Sequence, residues 1–113
     1  MPVAAACGSG CCPERDRIEL GSVLQALSDP IRLDMVLELA ANDEVGCGDF
    51  SLQVSKSTGS HHFRVLREAG LVAHREVGTR RFYRLRVDDL NARFPGLLDS
   101  VLLARASDAG AAR

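Results

Sequence analysis

Four cysteines and three histidines are the side chains of this 113-residue chain best able to bind a metal or change oxidation state. Cys11 and Cys12 are adjacent, in a small-residue, Gly-containing N-terminal stretch that also holds Cys7. Cys47 stands alone in Gly46-Cys47-Gly48. Thiolates are soft ligands and nucleophiles, so these positions point to soft-ion binding or to reversible thiol oxidation. A small buried role for Cys47 is the structural alternative, because free cysteine is often a core residue. His61 and His62 are neighbours on one helix and point about 100° apart, so they cannot share one ion. With His74 the only other imidazole, a complete nitrogen and oxygen site is not assembled. Cys11 to Arg17 also satisfies C-x5-R, a phosphate-loop spacing of low-molecular-weight phosphatases. That loop is entered from a buried strand and lined by N–H groups. Nothing before Cys11 reads as a strand, and Pro13 removes a donor, so the chain is read as a non-enzyme.

The elements that must position these groups follow from apolar spacing. Leu20, Val23, Leu24 and Leu27 recur at helical intervals. Asp29 and Pro30 suit the N-cap and first position of a second helix, which turns Ile31, Met35, Leu39, Leu33, Val36 and Leu37 inward and ends near Asn42. Residues 43–54 show little periodicity and read as a loop or one short irregular helix. Ser55 or Ser57 caps the next helix, and Gly70 occupies the left-handed position after it. Residues 71–87 read as two strands around a turn at Gly78-Thr79. Leu90, Phe94, Leu97, Leu98, Val101 and Leu102 form a last apolar stripe. The expected organisation is a flexible Cys-containing arm over residues 1–14, one domain over 15–105 and a disordered tail over 106–113. Hydrophobic residues make up 46% of the chain, but there is no Trp. So lean a core gains further burial by pairing with a second copy. No apolar run reaches the roughly 18–20 residues of a membrane span, and no secretory signal is read at the N-terminus, so a cytoplasmic location is expected.

A net charge of −1 conceals an asymmetry. Between Ser55 and Arg86 there are eight basic residues, Lys56, Arg64, Arg67, Arg75, Arg80, Arg81, Arg84 and Arg86, and only two acids, Glu68 and Glu76. The remainder of the chain is correspondingly acidic. On a helical wheel of residues 55–69, Phe63, Leu66 and Ala69 share one face, with Val65 at its border. Lys56, Ser57, Ser60, His61, Arg64 and Arg67 share the other. A helix about 10–12 Å across fits the major groove of B-DNA, short hydroxyls and a histidine reach base edges, and arginines hold phosphates. A hairpin tipped by Arg80 and Arg81 can reach the neighbouring backbone. The sequence therefore reads as mainly α with a small β-hairpin, a winged helix-turn-helix directed at double-stranded DNA. His62, toward the apolar side, is expected to pack or cap locally.

"LQALSDPIRLDMVLEL", "SKSTGSHHFRVLREAGLV" and "REVGTRRFYRL" together resemble the ArsR/SmtB family of bacterial repressors over roughly residues 18–103. The resemblance implies a homodimer paired through its first and last helices, which binds an operator and leaves it on sensing a metal ion or redox signal. By position it carries DNA reading to Lys56, Ser57, Thr58, Ser60 and His61, and the wing tip to Arg80 and Arg81; Arg64 joins them from its place on the basic face. Gly59 departs from the family, which usually has a β-branched core residue there, at a cost of order 1 kcal/mol in helix stability. "FSLQV" departs from the helix-forming stretch usual before the reading helix.

The last helix contains no histidine, so the nitrogen and oxygen metal site that some members carry there is not expected. The thiols resemble those of an arsenic-sensing branch, with a Cys-Cys pair before the first helix and a third Cys in a "GCG" loop. That implies Cys11, Cys12 and Cys47 as the ligands of trivalent arsenic or antimony, soft ions that favour three thiolates in a pyramid. Participation of Cys7 stays open. The alternative on the same fold is a repressor released by thiol oxidation.

Overall fold

The computed structural model describes residues 13–51 and 55–111 of the chain. A single turn of 3-10 helix, Arg15–Arg17, leads into α1 (Leu20–Leu27) and α2 (Pro30–Ala40). A two-residue strand β1 (Val45–Gly46) precedes α3 (Lys56–Ala69). The hairpin β2 (Val72–Val77) and β3 (Arg80–Leu85) follows, then α4 (Val87–Arg93) and α5 (Leu97–Ala111). The sheet is antiparallel in the order β1-β3-β2, with Val45 opposite Tyr83 and Gly46 opposite Phe82.

Local chemistry accounts for the element ends. The Asp29 carboxylate accepts from the N–H groups of Ile31 and Arg32 at 2.8 and 3.2 Å, satisfying donors that the start of a helix leaves open. Pro30 follows at the first helical position, where its missing N–H is no loss. Ser55 caps α3 by accepting from the Thr58 N–H at 3.2 Å. Gly70 ends that helix at φ 91°, and the Leu71 N–H closes back on the Leu66 carbonyl. A side chain at Gly70 would be strained twice over, because its Cβ would lie 2.7 Å from Ile18 Cγ1. Two residues, Gly78 and Thr79, turn the hairpin between Val77 and Arg80.

The apolar faces meet in one core. Ile18, Val23, Val36, Leu39, Leu66, Leu71 and Val72 are fully buried. Phe63 of α3 stacks on Tyr83 of β3 with ring centroids 3.9 Å apart, and Phe50 tilts against Phe63 with centroids 5.1 Å apart. This stack fixes the spacing of helix and wing through direct aromatic contact.

Four features differ from the sequence expectation. The hairpin gains β1 as a third strand. The last apolar stripe divides between α4 and α5, because Pro95 drives Phe94 out of helical geometry and Gly96 turns at φ 83°. α5 continues to Ala111, and Arg105 joins it to Asp34 of α2 through two hydrogen bonds. Leu20 and Leu24 are 46% and 47% exposed, while Ala26 takes a core position on α1.

Candidate nucleic-acid interface

The candidate reading face of α3 is built by its amphipathic pattern. Gly59, His62, Phe63, Leu66 and Ala69 are buried; Ser57, Thr58, Ser60, His61 and Arg64 are exposed. Lys56 opens the helix at the same end. Of the expected reading residues, Ser57, Thr58, Ser60, His61 and Arg64 therefore face outward, next to the N-terminal turn that Ser55 caps. Gly59 fills a buried slot, and its N–H closes the first turn on the Ser55 carbonyl at 2.8 Å.

His62 packs inside, with Nδ1 3.4 Å from Arg32 Nη1. Burial lowers its pKa from the usual 6.5; Asp29 opposes the shift, and Arg32 and His61 add to it. His74 is half-buried beside Tyr83 with its Nδ1 unpartnered, as is Nε of Arg67. Burial again lowers its pKa, helped by Arg81 and Arg67 and opposed by Glu76. Only His61 of the three lies open, on the outward face of α3.

The wing corrects the charge map. Arg86, counted in the basic run, is 3% exposed and paired to Asp89, so it is no part of the surface. The strand ends at Leu85, and Arg86 turns inward to start α4. Arg80 and Arg81 do sit at the tip and are accessible, but each is engaged: Arg80 with Asp49 at 2.8 Å and Arg81 with Glu76 at 2.7 Å. Arg75 holds Glu44, whose pKa the hydrogen bond lowers. Gly46 leaves room for the Arg80–Asp49 pair, because a Cβ there would lie 2.6 Å from both partners. Among the described residues Arg64 and Arg84 form no ion pair. Arg84 is exposed on β3 and belongs with the candidate contacts. Its position in the alternating strand was readable in the sequence; the pairing of its neighbours was not.

Cys47 is exposed, which removes the buried structural role. Its N–H donates to the Arg81 carbonyl at 2.9 Å, so the thiol position is fastened to the wing strand. It lines one concavity with the cap residue Ser55, with Ser60 of α3 and with Thr79, Arg80 and Arg81 of the tip. Cys7, Cys11 and Cys12 lie outside the described residues. Among the described residues no three His, Cys, Asp or Glu side chains cluster as metal ligands, and no helix is long and apolar enough to cross a membrane.

Comparisons with known proteins agree with this geometry. A family model described as "Bacterial regulatory protein, arsR family" matches residues 49–74, the span from the loop before α3 into β2. An uncharacterized HTH-type transcriptional regulator, YceK of Bacillus subtilis (strain 168), is 35% identical over 82 residues, covering 70% of this chain and 82% of the relative. The arsenical resistance operon repressor of Staphylococcus xylosus is 35% identical over 68 residues, 59% of this chain and 65% of that protein. Among solved structures, an ArsR-like transcriptional regulator from Rhodococcus sp. RHA1 superposes with a TM-score of 0.59 at 29% identity, over 79% of this chain and 87% of its own.

Proposed function

This chain belongs to the ArsR family of bacterial regulatory proteins and is a transcriptional regulator, and from that premise we propose that it represses transcription until trivalent arsenic or antimony binds Cys11, Cys12 and Cys47. Its winged helix fold implies duplex DNA as partner. In this reading Ser57, Thr58, Ser60 and His61, with Lys56, address the major groove. Arg64 holds the backbone, and Arg80 and Arg81 trade their acids for phosphates. The exposed pairs at the tip are each worth about 0–1 kcal/mol, so the exchange is inexpensive.

Two copies act together. Leu20 and Leu24 on α1 and Leu103 on α5 are exposed, Leu103 at 72%, and apolar residues so placed support pairing through the first and last helices. Paired reading heads then meet successive grooves of an operator.

The observation that carries the sensing proposal is Cys47, an exposed cysteine whose backbone N–H donates to the Arg81 carbonyl of the wing. The Staphylococcus xylosus relative is named for arsenical resistance, which supports the metalloid. Release of DNA by about 10²–10³-fold requires roughly 3–4 kcal/mol of coupling.

A gel shift on the chain's own promoter, with arsenite, zinc and peroxide added in turn, tests the assignment. Arsenite is expected to release the DNA, and Cys11→Ser with Cys47→Ser to abolish that release. Release that survives both substitutions contradicts the ligand set. Release by peroxide alone favours the thiol-oxidation reading.

A further inference from the structure

The segment between the arm cysteines and α1 is tied into the fold with unusual care. The Pro13 carbonyl accepts from Arg86 Nη1 at 2.7 Å. Asp89 takes one hydrogen bond from Arg15 Nε at 2.7 Å and another from Arg86 Nε at 2.9 Å. Burial pushes the Asp89 carboxyl up, but the hydrogen bonds and charges of these two guanidiniums together outweigh it and hold its pKa low. Arg93 donates twice to the Ile18 carbonyl, at 3.1 and 2.6 Å. The Ile18 side chain, fully buried, lies against Gly70 at the end of α3. The Arg86 N–H, in turn, donates to the Leu71 carbonyl at 2.9 Å, so one residue joins arm, helix end and wing base.

We propose that Pro13–Ile18 is a joint through which the arm sets the reading head, with Arg86 as its positioning residue. A guanidinium this buried cannot lose an acceptor without leaving a desolvated donor behind. When Pro13 moves, Arg86 has to follow it, and Arg86 carries both the base of β3 and the turn after α3. Cys47 is fastened to the other end of the same strand, at Arg81. Arg81 and Arg86 are five residues apart, about 17 Å of extended chain. A ligand held by arm thiols and Cys47 therefore loads β3 at both ends. The joint rests on the arm being the sensing element, and not on which ligand the arm takes.

The test uses the full chain with Cys7→Ser and Cys47→Ser, so that only the arm pair reacts with a bulky maleimide. Backbone hydrogen exchange is read in the absence of DNA. With the joint intact, labelling is expected to lower protection in β3 and at Leu71 roughly ten-fold. With Arg15→Ala, a change at a half-exposed residue, or with Arg86→Gln, labelling is expected to change protection less than about two-fold. The joint is overturned if labelling leaves the intact chain unchanged, or alters the intact chain and both variants alike. Arsenite added to the wild-type chain on promoter DNA separates the two ideas. Failure of arsenite to release DNA, with labelling still loosening β3, removes the metalloid and leaves the joint standing.

Discussion

The two ends of the wing use arginine in opposite ways. At the tip, Arg80 and Arg81 pair with Asp49 and Glu76 across side chains that are each more than two-fifths exposed. At the base, Arg86 and Asp89 form a pair at 3% and 12% exposure. Water screens the tip pairs, and their partners can be exchanged for a phosphate at little cost. The base pair has no such freedom, because breaking it strands a charge where water cannot reach. The proposed reading of DNA uses the end where arginine is exchangeable, and the proposed attachment of the arm uses the end where it is not.

The largest effect is expected at the base. Asp89→Ala leaves Arg86 buried without its carboxylate and is predicted to destabilise the fold by about 3–5 kcal/mol in denaturant titrations. A loss under about 1 kcal/mol would erase the distinction between the two ends. At the tip, Arg80→Ala and Arg81→Ala are predicted to leave stability within about 1 kcal/mol. Each should weaken promoter binding and reduce the salt slope by about 1.8, about 0.9 from each of the two copies. Asp49→Asn sharpens the contrast further: freeing Arg80 should tighten DNA binding, and weaker binding would mean that the pair pre-positions the arginine instead of holding it back.

The smallest effect concerns the histidines that lie away from both ends. His62 and His74 have folded pKa values below the ordinary 6.5. The unfolded chain therefore takes up protons first as the pH falls. Stability contributed by the neutral rings is complete above about pH 6.5 and drains away below it. The melting temperature should drop as the pH falls below about 6.5, and His62→Gln should flatten part of that slope. The carboxylates Asp29 and Asp89, held low, give up their contribution only in more acidic solution.

Features written in a few neighbouring residues were legible in the sequence. Asp29-Pro30, Ser55, Gly70 and Gly78-Thr79 each do their work through bonds within a few residues, and the structure uses them as caps and turns. The outward face of α3 follows from helical spacing alone. What escaped depends on partners distant in the chain. β1 is two residues long and exists through its pairing with β3, nearly forty residues on. The Arg86–Pro13 bond spans 73 positions, and nothing in "RLRVDD" marks Arg86 as buried while Arg84 stays outside. The exposure of Leu20 and Leu24 was invisible for a related reason. A wheel shows that four apolar residues share a stripe, but not how wide a stripe the rest of the domain covers. In α4 and α5 the stripe misled in the other direction, because its spacing continues through Pro95 although the backbone does not.

The salt dependence of promoter binding tests the central claim most directly, that an outward helix face and an arginine-tipped wing lodge together on a duplex. For two copies neutralising on the order of eight phosphates, log K against log salt is predicted to fall with a slope near about −7. A flat line, from a chain that ignores duplex DNA even in dilute buffer, would contradict the account.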